Sequence, residues 1–299
     1  MNVGLQLSRF KYPGGSSRIA STVSAIVREA DAAGFSSLWV MDHFFQIQNG
    51  GPPEDPMVEA YTTLGFAAGI SEHLKLGTLV TGVTYRYPGL LAKTVTTLDV
   101  LSGGRAYLGI GAAWFEQEHL GLGVPYPPLG ERFERLEEAL QIVLQMWSGE
   151  VKPYSGTHYQ LEETLNQPAA VSTPHPPILI GGGGEQKTLR LVAKYGDACN
   201  LFGGPELPHK LDVLKRRCDE VGRDYAEIEK TPLTIAPPAF DGSSEGQTTA
   251  ALLDTLQQQA ALGIDQAILK MPTLTDPTLL AMLGREVIEP AREIEVAGR

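Results

Sequence analysis

The chain holds 299 residues, 42% of them apolar and 20% charged, with a formal net charge of −11. That length suits one large domain or two ordinary ones, and acidity without a Lys/Arg cluster argues against nucleic acid and anionic membrane surfaces as partners. Cys199 and Cys218 form neither a disulfide framework nor a CxxC metal site, and no run reaches transmembrane length, so a cytoplasmic protein is expected.

In chain order, residues 3–7 alternate and read as a first strand. Residues 19–33 carry Val23, Ile26, Val27 and Ala30 at helical spacing and stop at Gly34. The second strand, 36–41, runs straight into Asp42-His43-Phe44-Phe45. A Gly/Pro-rich loop and a helix over about 56–71 precede the third strand, 74–80. A helix over 88–101 closes at Ser102-Gly103-Gly104, and the fourth strand, 105–110, ends in Gly109-Ile110-Gly111-Ala112-Ala113. A longer loop leads to a helix over 131–147, whose apolar stripe is Leu136, Leu140, Val143 and Leu144. Residues 150–176 have no helical period and four prolines, which suits a lid or rim at the mouth of the fold. Strands at 178–180, 198–202, 230–235 and 266–270 then alternate with helices near 186–195, 206–222, 245–262 and 277–296.

Eight strands alternating with eight helices predict a single (β/α)8 TIM barrel over residues 1–299. Such barrels run to about 250 residues, and the insertions at about 112–130 and 150–176 account for the excess. The fifth strand ends in Gly181, Gly182, Gly183 and Gly184, followed by Glu185, Gln186 and a helical pattern. Glycine lets a backbone approach a ligand closely, and the helix start adds free N–H groups and partial positive charge. The turn is therefore built to hold an anion such as phosphate, while its spacing is not the GxGxxG of a dinucleotide site.

In a barrel the chemistry lies at the carboxyl ends of the strands. That rule gathers Asp42 and His43, Thr81 and Thr84, Trp114 to His119, the glycines and Asn200 around one mouth. His43 is the only histidine placed at a strand's carboxyl end, which makes it the acid/base candidate. Arg105 falls at the opposite end, where a salt bridge is expected. Without HxxxH, HExxH or GxSxG spacing, no metal is expected and hydrolase readings are weak.

Six stretches carry a resemblance. They are Leu38-Trp39-Val40-Met41-Asp42-His43-Phe44, Leu76-Gly77-Thr78-Leu79-Val80-Thr81-Gly82-Val83-Thr84-Tyr85-Arg86, and Leu91-Ala92-Lys93. They continue as Leu101-Ser102-Gly103-Gly104-Arg105, Gly109-Ile110-Gly111-Ala112-Ala113-Trp114-Phe115-Glu116-Gln117-Glu118, and Ile180-Gly181-Gly182-Gly183-Gly184-Glu185. In this order the chain resembles the bacterial-luciferase-like superfamily over nearly its whole length. The resemblance is greatest to the branch that uses the deazaflavin coenzyme F420.

The resemblance implies a phosphate turn after strand five and a non-prolyl cis peptide at Leu79–Val80 that pushes a bulge against the deazaflavin ring. It implies that Asp42 and His43 face the ring, that Leu79, Val80 and Thr81 back it, and that Gly111 and Ala112 lie at its other flank. Gly181, Gly182, Gly183, Gly184, Glu185 and Gln186 would hold the phosphate, and Trp114 and Phe115 would wall the substrate space. The implied activity is hydride transfer between F420 and a small organic substrate, catalysed with His43, in a homodimer. An FMN-dependent monooxygenase of the same superfamily and a non-catalytic flavin- or deazaflavin-binding protein are the alternatives. One departure stands out: where the sugar-phosphate dehydrogenase branch places a catalytic glutamate after the strand-four glycines, this chain has about Trp114. That favours a flatter or more apolar substrate than a sugar phosphate.

Overall fold

Segments of four to six residues form eight strands. They are β1 (Asn2–Leu7), β2 (Ser37–Val40), β3 (Lys75–Thr78), β4 (Ala106–Gly111), β5 (Ile178–Gly181), β6 (Ala198–Phe202), β7 (Glu229–Thr234) and β8 (Gln266–Lys270). The computed structural model describes residues 1–234, 248–271, 274 and 278–298. Neighbouring strands are parallel in the order β3-β2-β1-β8-β7-β6-β5-β4, and a β3–β4 pairing closes the sheet into the predicted TIM barrel. Helices cover the outside, so β2 and β4 are buried along their whole length and lack the polar alternation of a one-sided sheet.

The helices are α1 (Ile19–Ala32), α2 (Ala60–Ala68), α3 (Pro88–Ser102), α4 (Glu116–Leu122) and α5 (Leu129–Trp147). They continue with α6 (Thr188–Tyr195), α7 (Leu207–Val221), α8 (Thr249–Ala261), α9 (Thr278–Leu283) and α10 (Glu289–Arg292). The residues 235, 245–247 and 277 of the expected elements lie outside the described residues. α1 buries Val23, Ile26, Val27 and Ala30, the expected set; burying a Val or Ile side chain contributes about 1.5–3 kcal/mol. α2 starts at Ala60 because the Glu59 carboxylate caps it, accepting from the backbone of Tyr61 and Thr62. The expected 112–130 loop contains α4, and α5 begins two residues early. The last helix is broken by a π-turn at Gly284–Ile288, next to Pro290, which lacks the N–H that would continue the ladder.

Most of the core lies between barrel and helices, but Trp39, Tyr107, Leu179, Ala198 and Ile268 fill the barrel itself. Trp39 and Tyr107 meet edge-to-face at 5.5 Å, and the Trp39 indole N–H donates to Ser37 Oγ at 2.7 Å. This plug forms a floor under the mouth.

Two expectations are corrected. Arg105 forms no salt bridge among the described residues. Its guanidinium donates to the carbonyls of Ala68 (3.1 Å), Ser71 (2.9 Å), Leu74 (2.7 Å) and Ser102 (2.7 Å), closing the chain ends after α2 and α3. The 150–176 segment is not drawn over the mouth. Asp99 of α3 accepts from the backbone of Val171 and Ser172, and Glu138 of α5 from that of Thr157, His158 and Tyr159. The segment is thereby strapped along α3 and α5, and it contributes no wall to either mouth cavity described below.

Candidate active site

After β3 the Leu79–Val80 peptide is cis, as the resemblance implies. Thr81 and Gly82 then rejoin the sheet by pairing with β4, so Leu79 and Val80 stand out of the ladder. Thr81 is pinned by hydroxyl contacts of 2.7 Å with both Tyr61 and Thr78. Gly111 and Gly181 make the room for Val80. A Cβ at Gly111 would lie 2.9 Å from Val80 Cγ2, and one at Gly181 2.8 Å from Cγ1. Side-chain packing, before any ligand, explains these two glycines.

Two adjoining cavities of about 460 and 760 Å³ open at the carboxyl ends of the strands. His43, Leu79, Trp114, Phe202 and Leu233 stand in the walls of both. The smaller lobe is completed by Asp42, Val80, Thr81, Gly111, Ala112, Gly181, Gly182 and Gly184, with Thr188 and Asn200. Most of the residues expected at a coenzyme therefore come together there. Gly183, Glu185 and Gln186 are not among its walls, and Phe115 lines only the larger lobe. Between the strand and the aromatic wall, Ala113 takes the left-handed φ of +59°, a conformation costing an L-residue about 1–2 kcal/mol. Its carbonyl is held by Arg132 Nη1 at 2.6 Å, and the turn leaves Trp114 at the mouth, 59% exposed.

His43 and Glu118 form the ionic centre. Glu118, on α4, is fully buried and accepts from His43 Nδ1 at 2.7 Å, from the backbone of Phe44 and Phe45, and from the Tyr85 hydroxyl. Burial works against its ionisation, but the bonds from His43, Tyr85 and the backbone of Phe45 outweigh it and hold the carboxyl below the usual range. An ionised acceptor assigns the proton to Nδ1, and Nε2 has no partner among the described residues. The ring packs edge-on to Trp114 at 5.5 Å and Phe115 at 5.7 Å. Beside it, burial lowers the pKa of His119, whose rings and hydroxyl neighbours, Tyr85 and Thr84, fix it in place.

The depressed Glu118 pKa has a sign. Its stabilising effect is fully present above the ordinary glutamate value of about 4.3 and is lost as pH falls through the lower folded value. Melting temperatures of the protein and of Glu118→Gln should accordingly differ at neutral pH and converge in acid. A constant difference down to pH 3 would remove the carboxylate's role.

Asp42 is 3% exposed. Its Oδ2 accepts from Arg86 at 2.5 Å and from Gly82 N at 3.3 Å, while Oδ1 is buried with no partner. Burial pushes this carboxyl up and Arg86 opposes it. A buried orphan acceptor costs about 1–3 kcal/mol, which a donor on a bound ring would recover.

At the glycine turn, Gly182 takes φ +121° and its N–H goes to Asn200 O at 3.0 Å. α6 begins only at Thr188, so a turn over 185–187 separates it from the glycines. The backbone N–H groups of Gly183, Gly184, Glu185 and Gln186 meet no acceptor among the described residues. Lys210 binds the Glu185 carboxylate at 2.6 Å, and Arg217 binds the Glu185 carbonyl and the Gln186 side chain. The two cations are themselves paired with Glu185 and Glu220, so it is the free backbone N–H groups that suit an anion. From sequence, Lys210 and Arg217 are not placed at the mouth, and Glu118 and Tyr85 have no role there beyond lying in the stretches that carry the resemblance. Cys199, by contrast, is buried and its thiol is pushed up to about 12, so it is no nucleophile. Among the described residues no three His, Cys, Asp or Glu side chains are grouped to hold a metal ion.

Comparison with known proteins gives four findings. A family model described as luciferase-like monooxygenase matches residues 1–264. An F420-dependent glucose-6-phosphate dehydrogenase of Kineococcus radiotolerans is 31% identical over 215 residues, which is 68% of this chain and 60% of that protein's own length. An uncharacterized protein of Mycobacterium tuberculosis is 30% identical over 84% of this chain and 87% of its own. Among solved structures, the coenzyme F420-dependent tetrahydromethanopterin reductase of Methanopyrus kandleri superposes with a TM-score of 0.78. It is 17% identical and covers 97% of this chain and 99% of its own, which is a likeness of fold.

Proposed function

The chain belongs to the luciferase-like monooxygenase family, and from that premise we propose that it is a cytoplasmic F420-dependent oxidoreductase acting on a small organic substrate. One observation carries the reading: a single lobe joins an orphaned buried acceptor, Asp42 Oδ1, to Gly184, the residue in its wall that belongs to the run of free N–H groups at the glycine turn. That pairing matches the needs of a polar ring carried on a phosphate-bearing tail. Relatives at about this identity are named as F420-dependent, which supports F420 over FMN.

F420, when bound, supplies a two-electron hydride couple. Asp42 would accept from its ring edge, Val80 would support the ring face, and the backbone of 183–186 would hold its phosphate. His43, fixed through Nδ1 by Glu118, would take a proton at Nε2 from a substrate hydroxyl as it is oxidised, or return one to a carbonyl as it is reduced, in the larger lobe. Trp114 and Phe115 would exclude water from that encounter. Orientation of the two reactants should supply much of the rate.

The test is a titration of the purified protein with F420 and, separately, with FMN, read by fluorescence quenching. Tighter F420 binding, with turnover that proceeds without oxygen, is expected. Preference for FMN together with an oxygen requirement would replace the proposal with a monooxygenase, and binding of neither would end it. The proposal extends to a homodimer, supported by Tyr87, Leu90 and Leu101, which stay exposed in or next to α3. A monomer at micromolar concentration in sedimentation equilibrium would remove that part.

A further inference from the structure

The larger lobe holds a chemistry that the function above does not use. Its far wall is built by the carboxyl ends of β1 and β8, where Gln6 and Lys270 are register partners. Gln6 is 2% exposed, and its Oε1 is buried with no hydrogen-bond partner. Arg9 follows on the loop after β1, where its Nη2 donates to the Asn49 carbonyl at 3.2 Å. Neither Arg9 nor Lys270 has a carboxylate partner among the described residues, although the protein carries 35 Asp and Glu against 24 Lys and Arg. The acidic side chain in the lobe's walls, Glu116, is exposed at the start of α4. Burial lowers the Lys270 pKa, and the neighbouring Arg9 charge lowers it further.

Two half-buried cations set side by side repel one another, and desolvation adds to the cost. An oxyanion placed between them removes both penalties; the orphaned Gln6 Oε1 is itself an acceptor, so Gln6 reaches that group only by donating from Nε2. The opposite wall is aromatic: Trp114 and Phe115, with His43 between the two lobes.

We propose that Arg9, Lys270 and Gln6 form an anion subsite, and that the substrate is an organic carboxylate or phosphate ester whose apolar part lies on Trp114 and Phe115. The inference rests on the proposed function only in calling the bound molecule the substrate; the subsite itself does not depend on the coenzyme. It refines the expectation of a substrate flatter or more apolar than a sugar phosphate. Trp114 makes one wall apolar, but the β1–β8 wall is cationic.

The test uses phenylacetate, phenyl phosphate and the neutral phenylacetamide as probes. Each is titrated against the whole protein with and without F420, followed by tryptophan fluorescence. At least one anion is expected to bind ten-fold or more tighter than the amide, with affinity falling as salt rises. Lys270→Met and Arg9→Gln should each weaken anion binding roughly 10–100-fold, as expected for loss of a charge-assisted bond. Lys270→Arg should retain most of it. Preference for phenylacetate or for phenyl phosphate identifies which oxyanion the site takes. Equal binding of amide and anions, or anion affinity unchanged in both Arg9→Gln and Lys270→Met, overturns the proposal. If anions bind and F420 does not, the subsite stands and the oxidoreductase reading falls.

Discussion

Replacing His43 by Ala is expected to lower kcat/KM about 10²–10⁴-fold, the range for loss of a positioned acid/base. The expectation follows from geometry and not from the residue type alone. Glu118 is buried, ionised and already bonded to the backbone of Phe44 and Phe45, so it does not move to suit the histidine; the histidine is oriented by it. The substitution removes one of the bonds to Glu118 and leaves the others, so the fold and the F420 affinity should be nearly preserved. Glu118→Gln should reduce kcat as well, because an amide no longer assigns the Nδ1 proton. Steady-state kinetics beside an F420 titration makes the check. Wild-type turnover from coenzyme-loaded His43→Ala would end the acid/base role.

Replacing Gly181 by Ala should damage both stability and coenzyme binding. The new methyl would meet Val80 Cγ1 at 2.8 Å and Cγ2 at 3.1 Å, in a place closed on the other side by Gly111. Overpacking of this kind costs about 1–3 kcal/mol. Displacing Val80 also deforms the wall that a ring would lie on, so F420 affinity should fall ten-fold or more. Gly183→Ala is the control: its nearest neighbour would be Lys210 Cε at 3.8 Å, an ordinary contact, so stability should be unchanged. Adding Val80→Ala to Gly181→Ala should restore stability by removing the clash, a coupling that a double-mutant cycle measures. Urea unfolding of the wild type, Gly181→Ala, Val80→Ala and the double variant, with Gly183→Ala beside them, decides it; if Gly181→Ala unfolds at the wild-type midpoint, the packing account is wrong.

The barrel was legible in the sequence because parallel strands covered by helices leave short unbroken apolar runs, and the intervening helices keep their own period. The α1 stripe of Val23, Ile26, Val27 and Ala30 is such a case. What periodicity missed were elements too short to show a period, such as α4, and the break at Gly284–Ile288. Asp42, His43 and the glycines were legible from their place at strand ends. Glu118 was not. It lies on a short helix whose Glu116 and Gln117 neighbours are exposed, and nothing local distinguishes the buried carboxylate from them. The strand-end rule brings the whole run Trp114 to His119 to the mouth without singling out Glu118 as the residue that orients His43. Arg9 and Lys270 were hidden for another reason: a missing counter-ion is visible only once the barrel brings β1 beside β8.

The division of the mouth bears on the order of events in turnover. Under the proposed function, two lobes that share His43 and the apolar residues around it would let both reactants reside on the protein at once, so neither would have to depart before the other arrives. Turnover would then pass through a ternary complex, and initial-rate lines at varied reactant concentrations are expected to intersect instead of running parallel.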